Sequence, residues 1–144
     1  MNNQFDVIIR DEFKEMPTKS SNIEEISYFN RNIQPQILPQ NFDMTFSGRI
    51  RGRIEPCDFM NCLCHIIKEM FGENNCYIDI NIDELKFNAI FENEENNENT
   101  TIEIKLYKSN NDEFVLKFIN INGSFQNFIS KFHDISELIR KIYN

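Results

Sequence analysis

From Phe125 onward, apolar residues return with the pitch of a helix. Phe128, Ile129, Phe132, Ile135, Leu138, Ile139 and Ile142 follow Phe125 at +3, +4, +7, +10, +13, +14 and +17. Such a stripe must be buried against another element. The stretch upstream offers the cover. Cys76, Ile78, Ile80 and Ile82 alternate with Tyr77, Asp79 and Asn81, and Leu85, Phe87, Ala89 and Phe91 alternate next. Ile102, Ile104 and Leu106 alternate with Glu103, Lys105 and Tyr107. Period two marks strands with one buried face. In the last of them, Phe114, Leu116 and Phe118 alternate with Val115, Lys117 and Ile119. Apolar on both faces except at Lys117, this strand is expected to be central.

A further strand and helix precede these. Met44, Phe46, Gly48, Ile50, Gly52 and Ile54 share one side of a predicted strand; Thr45, Ser47, Arg49, Arg51 and Arg53 share the other. Two glycines on the inner side point to a close approach there, or to a bulge. Pro56 then suits the first turn of a helix. Phe59, Leu63, Ile67 and Met70 form its stripe, and Gly72 closes it. Ser124 is placed to cap the last helix. The expected fold is α+β, an antiparallel sheet of about five strands with two helices packed on one face. The order is strand, helix, four strands, helix. Phe128, Phe132 and Leu138 are expected to pack against Phe59, Leu63 and Ile67.

Residues 1–42 read as an N-terminal extension or linker, and residues 43–144 as the domain. Within the extension, QFDVIIRDEF suits a short strand. Ser21 with Glu24 has the capping-box pattern of a helix start, followed by Ile26 and Phe29. Pro35 and Pro39 make QPQILPQ an extended linker. The polar run from Glu92 to Thr100 reads as a loop.

Composition excludes several functions. Fourteen Phe within a 40% hydrophobic chain can fill a core. A formal net charge of −8 argues against a general nucleic-acid binder, because phosphate binding rests on accumulated positive charge. The apolar runs are too short for a transmembrane segment. The first residues lack the basic-then-apolar order of a signal peptide. Four Cys without that signal point to free thiols and a cytoplasmic placement, with nuclear or peripheral-membrane placement as alternatives.

Against this acidic background, Arg49, Arg51 and Arg53 stand out. Guanidinium groups suit phosphates and carboxylates. The row is therefore the candidate partner- or anion-binding site, with an acidic protein segment ranked before a phospholipid headgroup. The plain alternative is the wet face of a strand. Metal binding at Cys62-Leu63-Cys64-His65 is disfavoured, since helix residues two apart point nearly opposite ways. Nucleophilic catalysis would need His65 or His133 beside a Cys or Ser, and both are expected on polar helix faces. The acidic pairs Asp83-Glu84 and Glu94-Glu95 are expected in a turn and a loop, with no pocket around them. A small enzyme is therefore the weakest reading, and no cofactor or metal is expected.

Five stretches carry a family likeness. Gly48-Arg49-Ile50-Arg51 ends a strand, and Pro56-Cys57-Asp58-Phe59-Met60 opens a helix. Ile102-Glu103-Ile104-Lys105-Leu106-Tyr107 and Val115-Leu116-Lys117-Phe118 follow, then Ser124-Phe125. In this order, over roughly residues 44 to 143, the chain resembles the kinase-associated domain 1 family. It is most similar to the C-terminal domain of catalytic (alpha) subunits of the AMP-activated protein kinase type. The likeness implies a non-catalytic regulatory domain that docks a beta-type subunit or the kinase domain. Its alternative within the family is an anionic-phospholipid targeting module. No glycine-rich phosphate loop, His-Arg-Asp or Asp-Phe-Gly accompanies it. The chain is expected to be a kinase fragment or a free-standing relative, not itself an enzyme.

Overall fold

The computed structural model describes residues 3–10, 28–30, 32–92, 98–110 and 112–143. Its elements run β1 (Gln4–Ile8), β2 (Gln36–Ile37), β3 (Ser47–Arg51), α1 (Pro56–Phe71), β4 (Cys76–Ile80), β5 (Lys86–Phe91), β6 (Thr100–Asn110), β7 (Glu113–Asn122) and α2 (Phe125–Tyr143). The α+β class is as expected. From β3 onward the order is strand, helix, four strands, helix, and those five strands pair antiparallel in the order β3-β7-β6-β5-β4. β7 lies inside the sheet, as its two apolar faces require.

Among the described residues the sheet has seven strands, not about five, and it is mixed. β1 adds to the outer edge of β3 in parallel, and β2 pairs in parallel with the far end of β6. Both additions come from the first 42 residues. β1 has a solvent side and a core side, with Phe5, Val7 and Ile9 buried and Gln4, Asp6 and Ile8 exposed. The glycines of β3 explain themselves here. A Cβ on Gly48 would occupy the space of the Phe5 ring, and one on Gly52 would meet the backbone of Ile9. β3 begins at Ser47 rather than Met44, because Phe46 takes a positive φ of 52° and turns the chain off the sheet.

The helices end where the sequence directs. The Glu55 carboxylate accepts from the Asp58 N–H at 2.7 Å, Pro56 occupies the first turn, and Gly72 ends α1 at φ 90°. The Ser124 hydroxyl accepts from the Asn127 N–H at 3.1 Å. Both helices bury their stripes in one core with the inward side chains of the sheet. Phe59, Leu63, Ile67, Phe128 and Phe132 are buried, and Leu138 is half-buried against the same core. The ring contacts of α2 run mainly to the sheet. Phe132 lies 5.3 Å from Phe46, 5.0 Å from Phe118 and 6.0 Å from Phe5. Between the helices, Phe59 stacks on Tyr143 at 6.1 Å.

Residues 28–30 and 32–46 run around the sheet like a belt. The Phe29 N–H donates to Asn61 Oδ1 at 2.6 Å, and Asn61 Nδ2 returns a bond to the Phe29 carbonyl at 3.2 Å. Cys57 and the Ile33 backbone meet at 3.3 and 3.4 Å. The chain passes from the outside of α1 to the β6 edge through β2, then crosses the helix-free face to reach β3. There Phe42 packs edge-on against Tyr107 at 5.0 Å. This crossing accounts for the burial of Ser47 and Val115, which point away from the helices. The helix start expected at Ser21, Glu24 and Ile26, and most of the loop expected over 92–99, lie outside the described residues.

Phe132 joins α2 to β1, β7 and the turn before β3. Phe132→Ala should lower stability by about 3–5 kcal/mol. Leu138→Ala, at a half-buried position, should cost less. Urea denaturation of the two variants checks the order, and equal losses would contradict the packing.

Candidate functional site

Arg49 and Arg51 lie on β3 and face away from the helices. Opposite them on β7, Arg51 registers with Glu113 and Arg49 with Val115. On the other side, β1 brings Asp6 into register with Arg49. Glu113 reaches both arginines, one with each oxygen. Arg49 Nη1 lies 3.3 Å from Oε2 and Arg51 Nε lies 3.1 Å from Oε1. Arg51 Nη2 is also 3.9 Å from Asp6 Oδ1. Glu113 is the enclosed member, with its side chain 14% exposed against 38% and 52% for Arg49 and Arg51. Its carboxyl is held below the usual range. A hydrogen bond from Ser109 is the largest cause; burial opposes it, and Arg51 and Arg49 add to it.

The expected row of three is therefore a pair on the strand. Arg53 lies past the end of β3, beyond Gly52 at φ 136°, and is exposed. Within the chain itself, Glu113 and Asp6 supply carboxylates to the two strand arginines.

The same face carries a second set of cations that sequence periodicity missed. Lys86, Lys105 and Lys117 stand abreast on β5, β6 and β7. Like charges directly opposite repel, and each of these is drawn to a partner. Lys86 Nζ meets Glu84 at 3.1 Å and Glu103 at 3.6 Å. Lys105 Nζ meets Glu84 at 3.1 Å and Gln36 Oε1 at 2.9 Å. Lys117 Nζ donates to the carbonyls of Asp43, at 2.8 Å, and Thr45. Burial lowers the Lys117 pKa, with Asp43 opposing. Hydrogen bonds from Lys105 and then Lys86 lower that of Glu84. Each lysine taken alone reads as an ordinary wet-face residue; only the strand register aligns the three.

The other candidates resolve into packing. Cys64 is buried and its thiol is pushed well up by burial; burial also pushes Cys76 to about 11. Thiols held protonated in this way are poor nucleophiles. His65 stacks edge-on with Tyr28 at 5.0 Å. His133 was expected to be solvated, but its Nε2 is buried without a hydrogen-bond partner among the described residues. Among those residues no three His, Cys, Asp or Glu side chains group as metal ligands, and no helix is long and apolar enough to cross a membrane. A cleft of about 210 Å³ lies between residues 28–30 with Ile33 and the end of β4, with Phe29, Ile80 and Ile82 among its lining. That is below the ~300 Å³ at which small-molecule pockets usually begin.

The depressed Glu113 pKa sets a pH dependence. A carboxyl more acidic in the folded than in the unfolded chain stabilises the fold above its unfolded pKa, and that gain is lost as pH falls through the folded value. Between neutral pH and about pH 3, the native chain should therefore lose more stability than Glu113→Gln. Parallel acid titrations of the two by circular dichroism check this; curves that stay parallel would contradict it.

No protein-family model matches the chain, and none of the curated proteins matches it.

Proposed function

We propose that the chain is a non-catalytic interaction module of the kinase-associated kind. It would serve an AMP-activated-type Ser/Thr kinase catalytic subunit by docking a beta-type subunit or the kinase domain. One observation carries the reading. The five stretches that resemble the family fall, in order, on β3, the first turn of α1, β6, β7 and the start of α2. These belong to the antiparallel strand–helix–four-strand–helix unit that the likeness implies. The chemistry found agrees with a binding role: high-pKa core thiols, two packed histidines, and charged groups neutralised in a lattice.

The lattice also ranks the partners. Arg49 and Arg51 already share carboxylates at 3.1–3.9 Å, so an anionic membrane would have to compete for them. A protein partner that docks away from these two arginines need not break the pairs.

The test is co-precipitation of the full chain with a beta-type subunit and, separately, with a kinase domain, beside sedimentation with phosphatidylserine vesicles. Retention by one of the proteins, at physiological salt and without vesicle binding, is the expected outcome. Vesicle binding alone would move the reading to the lipid-targeting module. Retention by none would sink the kinase reading.

A further inference from the structure

β1 runs parallel to β3 and is distant from it in sequence, so its arrival is a long-range docking step and not the closing of a hairpin. The edge that receives it is shaped for one kind of strand. Phe5 lies over Gly48, Val7 registers with Ile50, and Ile9 crosses Gly52. The side chains of Phe5, Val7 and Ile9 are 3%, 1% and 5% exposed. The Phe5 ring continues to Phe118, 6.3 Å away, and the Arg140 guanidinium lies 5.9 Å from its centroid. The solvent side is matched by charge, with Arg51 facing Asp6. Main-chain bonds complete the seat, among them Ile9 N–H to the Arg51 carbonyl at 2.8 Å. Backbone pairing with alternate side chains in shaped notches is how proteins recognise an added strand. This edge matches the pattern aromatic, acidic, apolar, any, apolar.

We infer that the outer edge of β3 is a strand-docking site that also takes β1 from a second copy of the chain, giving a strand-exchanged dimer. Every contact above joins β1 to the body, and none depends on which copy supplies the strand. Such exchange of an identical element is a low-cost route to dimers. The chain's own strand is favoured by its covalent connection to the body, which makes its docking intramolecular. Exchange therefore emerges at high concentration, or wherever a sound groove and a sound strand sit on different copies. The inference rests on the reading of the chain as an interaction module but on no kinase partner.

Two full-length variants separate strand from seat. Phe5→Ala spoils the strand and keeps the groove; Gly48→Val fills the groove and keeps the strand. Light scattering should read each alone as monomer and their equimolar mixture as a one-to-one heterodimer. Because either change can cost folding, the unaltered chain gives a second reading. Refolded from urea with excess fluorescent peptide of residues 3–10, NQFDVIIR, it should retain the peptide through gel filtration. The peptide carrying Phe5→Ala should bind roughly 100-fold or more weakly. A mixture of folded variants that stays monomeric overturns the proposal. So does an unaltered chain that retains neither peptide, or both alike. Neither arm contains a kinase subunit, so its outcome is independent of the co-precipitation.

Discussion

The rings gathered around Phe132 tie the molecule together. Phe5 arrives from β1, Phe118 from β7 and Phe46 from the turn before β3, all within 6.0 Å of the Phe132 centroid. The edge-to-face pairs among them, Phe46–Phe132 and Phe118–Phe132, add about 0.5–1.5 kcal/mol each beyond the area they bury. The cluster fixes more than helix orientation. Phe46 reaches it at the bend where the belt becomes β3, so the point of entry into the sheet is set by a core contact. Phe5 reaches it only because residue 48 is glycine.

The helix-free face is organised by charge. Its cations come from β3, β5, β6 and β7 and its carboxylates from β1, β6, β7 and the turn before β5. The arginines of these pairs are 38% and 52% exposed, a setting in which single ion pairs contribute little. Their effect is to specify register. A one-residue slip would set Arg51 against Phe114 or Asp112 instead of Glu113, and would turn buried residues toward water. An acidic chain thus places its scarce cations where strand alignment needs them.

What the sequence made legible follows from the range of each signal. The five antiparallel strands and both helices show as periods of two and of three to four because each has one buried face, a property read within a few residues. Pro56, Gly72 and Ser124 mark boundaries for equally local reasons. Gly48 and Gly52 announced a close neighbour but not its identity, since Phe5 and Ile9 lie some forty residues upstream. Glu113 was hidden in the same way. Only the β3–β7 register sets it against Arg51. His133 looked polar by helical position, yet its Nε2 is buried. β2 is two residues long and leaves no periodic trace.

The belt has a consequence for the surface it crosses. While Gln36 to Thr45 lie over the helix-free face, their side chains and carbonyls occupy Lys105 and Lys117. Lift that stretch away and Lys117 loses both carbonyl partners, with Lys105 as its neighbour across the strand. Ser47 and Val115 would meet water together with it. Ten residues of the chain's own backbone thus satisfy, through carbonyls, an ammonium that the helix-free face would otherwise leave to water.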